Sequence, residues 1–493
     1  MSLSLELPEY QAAKNPESVV WGMLQGSAIL TTLNNAYTQI ARWKPNLFLT
    51  PSGSVGKAFI DELTRLASLF VNKTSSESFA LTALMVCTPL LLQKPSKKSK
   101  TKEHAKHLQR RLALWKEGDI EALVREGNAI QARMSNSVQV PSRHINNVFS
   151  SLMMKGKVSS AIKWLNSNAE CGVLKVNDTI LMELHTKHPA GKKADVEFLL
   201  HGPLKLAENV IFDGIDEETV CNAAKNLKGT GGPSGLNSDG VKRILCSKAF
   251  RSSSKNLCYA LSLVIRRLCT EFVDPECTKA LNACRLIPLN KNPGVRPIGI
   301  GEVFKRIIAK CVMKFLKPDI PRSAGSLQVC AGHDAGCEAA IHAIKDMFAE
   351  EDVDGVLLVD ASNAFNSLNR EVALRNMFVT CPEMAVFETN MYRSYSSLYV
   401  KDLESSEVHE ILSEEGTTQG DPSAMPVYSC STTPLITALL RRKEESHLLY
   451  RQVWFADDAA SAGNIDGLNV WWKKLLPLGP GYGYYPNPQK KLS

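Results

Sequence analysis

Asp360, Asp457 and Asp458 are the residues best placed by type and spacing to do chemistry together. Asp360 ends the apolar run Gly355-Val-Leu-Leu-Val359, and Asp457-Asp458 follow the strand-like run Arg451-Gln-Val-Trp-Phe-Ala456. The first run predicts a strand buried on both faces. A carboxylate at its end is costly unless a partner or a metal ion compensates it. Adjacent carboxylates repel, and each raises the other's pKa unless a cation neutralises them. Separately, the first block is one of many strands that end in Asp, and the second reads equally well as a solvated acidic turn. Together they define a site. The positions are 97 apart (457 − 360), and neighbouring antiparallel strands, with the Asp pair at a hairpin turn, set them side by side. Three converging carboxylates hold two Mg²⁺ ions about 3.5–4 Å apart for in-line phosphoryl transfer. Hard oxygen donors suit Mg²⁺, with Mn²⁺ as a substitute. One ion lowers the pKa of the attacking hydroxyl, and the other neutralises charge on the leaving group.

Between the two blocks lies Glu415-Gly-Thr-Thr-Gln-Gly-Asp-Pro422. Gly416 and Gly420 predict a flexible loop in which backbone approaches a ligand closely. Asp421-Pro422 is expected to open a helix, since proline is tolerated in the first turn.

Asp360-x-x-x-Ala364-Phe365, then Gln419-Gly420-Asp421-Pro422, then Phe455-Ala456-Asp457-Asp458, in this order, resemble the reverse transcriptases, the RNA-directed DNA polymerases. The Gln-Gly-Asp-Pro form is most similar to those of non-LTR (LINE-type) retrotransposons and group II introns. The resemblance implies a right-hand polymerase fold, α+β, with fingers and palm. It implies Asp360, Ala361, Asp457 and Asp458 as metal ligands, Phe365 as a steric gate against a ribose 2′-hydroxyl, and Gln419 and Gly420 in the nucleotide pocket. Upstream, Arg285-Leu-Ile-Pro-Leu-Asn-Lys-Asn-Pro-Gly-Val-Arg-Pro-Ile298 is similar to the family's fingers segment. Lys291 and Arg296 match its basic positions, which meet the incoming triphosphate. A guanidinium fork and a point ammonium suit phosphate oxygens, although two surface charges on a hairpin would look the same. Downstream, Gly483-Tyr-Tyr-Pro-Asn-Pro-Gln-Lys490 resembles the next motif. Its lysine protonates the leaving pyrophosphate, and Lys490 fits that place, with Lys491 as rival.

The partners implied are an RNA template, a DNA or RNA primer, and deoxynucleoside triphosphates. Asn366 stands where LINE enzymes often carry Asp. No LINE-type endonuclease block is recognisable in the first 200 residues. Only 35 residues (493 − 458) follow the Asp pair, so a thumb is expected to be absent. An inactive remnant that binds nucleic acid without polymerising is therefore the alternative.

The elements that must position these residues divide the chain into four. Residues 1–103 are an N-terminal region ending in the basic linker Lys94-Pro-Ser-Lys-Lys-Ser-Lys-Thr-Lys102, which also suits nuclear import or nucleic-acid contact. Residues 104–200 are expected to be helical and basic. Leu108, Leu112 and Trp115 share one face, Gly118-Asp119 breaks the pattern, and Ile120, Leu123, Val124 and Ile130 resume it. Arg110, Arg111, Arg125 and Arg133 form the outer surface of this helix pair, and a further helix runs from Ile145 to Leu165. Residues 201–282 loosely resemble the extension that precedes the LINE-type polymerase core, and 283–493 are the core itself. The Gly-rich stretch Lys228–Asn237 has no strand leading into it and no Gly-x-x-x-x-Gly-Lys-Ser/Thr pattern, which excludes a P-loop triphosphatase. Cys330, His333, Cys337 and His342 have spacing suited to zinc, but they fall across the start of an amphipathic helix and read as structural.

The chain has 493 residues, 44% hydrophobic and 22% charged, with net charge +8. This is ordinary for a globular protein of several domains, and the mild basic excess fits a polyanionic partner. No secretory signal is apparent, and the odd count of 13 cysteines suits reduced thiols in an intracellular compartment, nucleus or cytoplasm. The most apolar early stretch, Phe79–Leu92, contains Pro89 and is too short to span a bilayer, so a buried helix is expected.

Overall fold

The computed structural model describes residues 26–487, except 74–75, 97–98, 136–141, 157, 159–160, 162–171, 292–293, 403–406 and 442–447. The chain is mixed α+β, with helices dominating its first half. In order these are α1 (Gly26–Ala41), α2 (Ser54–Val71), α3 (Glu77–Leu91), α4 (Thr101–Lys116), α5 (Ile120–Ser135), α6 (Ser142–Met154), α7 (Asp178–Thr186), α8 (Glu217–Lys225), α9 (Ser238–Leu245), α10 (Arg251–Thr270) and α11 (Pro275–Asn282). Then come β1 (Cys284–Asn290), β2 (Val295–Gly301), α12 (Val303–Phe315), α13 (Asp319–Ala324), α14 (Gly336–Phe348), β3 (Gly355–Val359), α15 (Ala364–Ser367), α16 (Arg370–Thr380), α17 (Pro382–Tyr392), β4 (Ser396–Lys401), β5 (Val408–Ser413), α18 (Ala424–Ala438), β6 (Tyr450–Phe455), β7 (Asp458–Gly463) and α19 (Ile465–Leu478).

Side-chain caps fix several helix starts. Asn177, Asp216, Asn237, Asn369 and Asn464 each accept a backbone N–H from the first turn of α7, α8, α9, α16 and α19, satisfying donors that the helix itself leaves open. The break at Gly118-Asp119 separates α4 from α5, and α3 covers the apolar stretch from Phe79 as a buried helix. Among the described residues no helix is long and apolar enough to cross a membrane, and every cysteine is a free thiol.

Four expectations need correction. Helix α4 starts at Thr101, inside the lysine run, with Glu103 reaching back to the Lys100 backbone N–H. Arg111 is not on the outer surface. It is 1% exposed and donates to the carbonyls of Leu91 and Gln93 at 3.1 and 2.6 Å, just past α3. A helix end leaves such carbonyls without intrahelical donors, and Glu126 balances the charge at 2.9 Å. Strand β3 is not buried on both faces. The three-stranded sheet has the order β3-β7-β6, so β3 is an edge, and Leu358 is 46% exposed. Helix α14 packs chiefly on β6 and β7 and touches β3 less. The helix after Pro422 opens at Ala424, because Asp421 first turns back to accept from the Ser423 N–H at 3.0 Å.

The second sheet has the order β2-β1-β4-β5, with β1 antiparallel to β2 and parallel to β4. Strict alternation gives it two faces. Cys284, Leu286, Val295, Leu398, Val400 and Ile411 point to one, which α7 covers with Leu184. The other face stays partly open.

The Gly-rich loop has a structural task. A Cβ on Gly232 would stand 2.8 Å from the backbone of Gly301 and Glu302, so only glycine lets the loop seat on the β2–α12 junction. There the buried Glu302 carboxylate accepts from Tyr37 Oη at 2.6 Å, Ser234 N at 2.8 Å and Ser234 Oγ at 2.5 Å. One side chain thus ties α1, the loop and α12 together.

Candidate active site

The register β3–β7 runs from Gly355↔Gly463 to Val359↔Ala459, and β6–β7 ends at Phe455↔Asp458. Asp360, the next residue after β3, therefore stands beside Asp458 at the same end of the sheet, with Asp457 in the two-residue turn between β6 and β7. Ala456 takes the left-handed conformation there, with φ 55°. That is unfavourable for a residue with a Cβ, and a buried side chain holds it. Gln328, 0% exposed, accepts from Ala456 N at 2.9 Å and donates to Ala456 O at 3.1 Å. The flanking segment is pinned to β6 through Trp454 N to Leu327 O (2.7 Å) and Val329 N to Trp454 O (2.9 Å).

The segment after α19 closes the site from the other side. Asn487 N donates to Asp360 O and Ser362 N to Tyr485 O, both at 2.8 Å, and Ala361 pairs with Pro486. Tyr484 sits beneath the carboxylates. Its hydroxyl donates to Asp457 O at 3.0 Å. Burial raises its pKa, and the negative charges of Asp457, Asp360 and Asp458 raise it further. All three acids are thus near enough to act on one buried hydroxyl through their charge. Tyr428 on α18 feels burial first and then Tyr484, Asp457 and Asp360 among its neighbours. Its own hydroxyl is buried without a hydrogen-bond partner among the described residues. A cavity of about 540 Å³ opens at Asp360 and Asp458 and runs between α14 and the sheet, floored by Leu358, Val453, Phe455 and Ala460.

Phe365, on α15, is half-buried with its ring 4.7 Å from that of Tyr428. Asn366 is buried and donates to Asn363 Oδ1 at 3.0 Å. The loop Gly416–Gly420 links this region to the other sheet. Thr417 N donates to Phe365 O at 2.6 Å, and Gly299 N on β2 donates to Gln419 O at 2.8 Å. Its glycines let the loop seat closely on neighbouring backbone. A Cβ would lie 2.2 Å from Phe365 O at Gly416 and 2.4 Å from Gly299 O at Gly420, and both residues have positive φ. Lys291 and Arg296 are exposed on the β1–β2 hairpin, the strand pair that the Gln419–Gly420 loop joins. Lys490 and its rival Lys491 lie outside the described residues.

Behind the loop is a buried charge network that the sequence did not disclose. Lys305 on α12 contacts Asp421 at 2.8 Å, each side chain nearly fully buried. Tyr392 Oη also donates to Asp421, at 3.0 Å, and Ser423 Oγ donates to Glu388 at 3.2 Å. Burial opposes the Asp421 charge, but Lys305 outweighs it and holds the carboxyl below its usual range. Burial likewise opposes the Lys305 charge, and Asp421 overcomes it. Burial, then Asp421, push Glu388 well above the carboxylate range.

Asp360, Asp457 and Asp458 supply hard oxygen donors at one sheet end, which suits a divalent cation in chemistry. Among the described residues no three His, Cys, Asp or Glu side chains already stand in a metal-holding group. Cys330, His333, Cys337 and His342 form no such group either, and α14 runs from Gly336 as an amphipathic helix. No protein-family model and no curated protein sequence matches the chain.

Proposed function

We propose that the chain is a template-directed nucleotidyltransferase of the reverse-transcriptase kind, adding deoxynucleotides to a primer 3′-hydroxyl against an RNA template. One observation carries the reading: Asp360 from one strand and Asp457-Asp458 from a neighbouring hairpin stand at the same end of an antiparallel sheet. On this reading the three-stranded sheet is the palm and the four-stranded sheet the fingers of a right-hand polymerase. Mg²⁺ held by Asp360, Asp457 and Asp458, with Ala361 beside them, supplies activation of the hydroxyl and neutralisation of the leaving pyrophosphate. Lys291 and Arg296 bind the triphosphate. Phe365, backed by Tyr428, excludes a ribose 2′-hydroxyl. The Gln419–Gly420 loop keeps the nucleotide pocket in register with β2. The protein works where RNA template, primer and nucleotides are present, in nucleus or cytoplasm.

The test is primer extension by the full chain on an RNA template with Mg²⁺, alongside Asp457→Asn. Extension that the substitution reduces to background, with template binding retained, is expected, because the ligand acts more on the transition state than on the ground state. Extension by Asp457→Asn equal to that of the parent chain would sink the assignment. A second readout needs no turnover: Fe²⁺ with ascorbate and peroxide should cut the backbone near 360 and 457–458, and Mg²⁺ should protect it.

A further inference from the structure

Among the described residues, thiols meet at a buried place and at a half-open one. Cys381, between α16 and α17, contacts Cys430 on α18, and both are buried. Cys221 on α8 and Cys246 at the end of α9 have their sulfurs 3.9 Å apart, and both are half-buried. The Cys246 thiol also donates to the Cys221 carbonyl at 3.6 Å, so its side chain already lies along α8. A disulfide bond is about 2.05 Å long, which leaves these sulfurs about 2 Å to close, within the sweep of a side-chain rotation. Cys258 on α10 lies behind them, 2% exposed, with its own thiol turned to the Leu245 carbonyl at 3.7 Å. Lys225 stands one turn after Cys221 and Lys242 one turn before Cys246. The acid one turn before Cys221, Glu217, is paired with Lys255 at 3.6 Å. The two cysteines are 25 positions apart (246 − 221), and the Gly-rich loop lies between them. Ser234 seats that loop on Glu302, and Arg306 donates to its Lys228 and Thr230 carbonyls at 3.4 and 2.6 Å. These contacts hold the middle of the segment, and the cysteines stand in the helices on either side.

We propose that Cys221 and Cys246 are a modification site at which a low-molecular-weight disulfide exchanges with the protein, leaving an intramolecular bond that latches the segment 222–245. The thiolate, not the thiol, is the nucleophile. Burial, then Cys221, push the Cys246 thiol up to about 12, while Lys225 and Lys242 pull the other way. Because the charge of Cys221 is among what raises Cys246, the first thiolate of the pair forms on Cys221. It attacks one sulfur of the small disulfide RSSR. The S–S bond of RSSR breaks, Cys221–S–S–R forms, and the departing RS⁻ takes up a proton. Cys246 then gives up its proton and attacks the Cys221 sulfur, which forms the Cys221–Cys246 bond and releases the second RSH. Two protein thiols lose two electrons in all, and one RSSR is reduced to two RSH. Cys381 and Cys430 are closed to the reagent by burial. Cys337, exposed on α14, is reached by it but sits in no such pair among the described residues. The proposal does not rest on the polymerase reading.

The experiment treats the reduced full chain with glutathione disulfide and maps its tryptic peptides without reductant. Peptides 206–225 and 244–248 should appear joined, and excess reduced glutathione should part them. In Cys246→Ser, and equally in Cys246→Ala, Cys221 should instead hold glutathione as a mixed disulfide. In Cys221→Ser, Cys246 should stay free. Cys337 measures exposure to the reagent and should carry glutathione in every variant. Cys381 and Cys430 should react only once the chain is denatured. Closing a chain loop restricts its opened forms most, so amide hydrogen exchange across 227–237 should slow about tenfold on oxidation. The Cys246→Ser chain, given the same treatment, should keep its exchange rate. Modification of Cys337 while peptides 206–225 and 244–248 stay separate overturns the proposal. Joining of Cys381 to Cys430 at the same rate does so too, since the oxidant would then be acting on an opened chain. A joined pair that leaves exchange across 227–237 unchanged overturns the latch.

Discussion

Asp421 and Asp360 are both acids at the edge of the loop system that joins the two sheets, and the fold holds them in opposite ways. Asp421 is fixed through its side chain, with Lys305, Tyr392 and the Ser423 backbone all reaching its carboxylate. Asp360 and Asp457 are fixed through their main chains, by the Asn487 N–H and the Tyr484 hydroxyl, and the adjoining Ala456 by Gln328. Side-chain capture neutralises a charge and anchors a loop. Main-chain capture fixes where a carboxylate starts.

The sharpest way to break this contrast is Lys305→Met. It strands the Asp421 carboxylate in the interior, and removing one partner of a buried pair costs roughly 3–5 kcal/mol. Chemical denaturation should show a loss of that order, largely recovered in Lys305→Met/Asp421→Leu. A loss below about 1 kcal/mol in the single variant would mean that water reaches the pair. Next in size is Gln328→Ala, which leaves the Ala456 N–H and carbonyl buried and unpaired for about 1–3 kcal/mol. If the turn matters for position, primer extension should fall further than stability explains when measured well below the melting temperature. Activity that merely tracks the folded fraction would make Gln328 a structural residue only.

The smallest effect concerns Glu388 and depends on pH. Its folded pKa is raised well above the ordinary 4.5, so above that pH the unfolded chain has released a proton that the folded chain retains. Stability then falls as pH rises. Glu388→Gln has no proton to lose. Its melting temperature minus that of the parent should therefore increase from about pH 4.5 toward pH 8. A difference that stays flat over that range would show that Glu388 is ionised in the fold.

The carboxylate end of the three-stranded sheet was legible because two signals coincide in one short stretch, an apolar run that must be a strand and an acid at its terminus. The hairpin at Asp457-Asp458 was legible for the same reason. What stayed hidden depends on pairing at a distance. Nothing local marks Lys305 as the lysine that goes inside, or Arg111 as the arginine that turns in to cap α3, because each owes its burial to a partner supplied by another part of the chain. Gln328 and Tyr484 were missed likewise, although Tyr484 lies within a stretch that the sequence singled out. Apolar content predicted burial of β3, but edge position depends on strand order, which four residues of Val and Leu cannot encode. The glycines of the Gly416–Gly420 loop were recognisable as sites of close approach. The backbone they approach belongs to α15 and β2, far away in the chain.

The edge position of β3 bears on how the protein is made. Among the described residues its one neighbour in the sheet is β7, which starts 99 positions (458 − 359) after Val359. A ribosome adding roughly 5–20 residues per second leaves Val356-Leu-Leu-Val359 without its partner for ~5–20 s. A short, uncharged, β-branched and leucine-rich segment is the kind that pairs with its own copies on a neighbouring nascent chain. The sequence brackets it with acids: Glu350, Glu351, Asp352 and Asp354 before and Asp360 after. Charges flanking an unavoidable hydrophobic strand act as gatekeepers against aggregation. Asp360 therefore serves during synthesis as well as in the finished fold, and its neutralisation should lower soluble yield even where catalysis is never assayed.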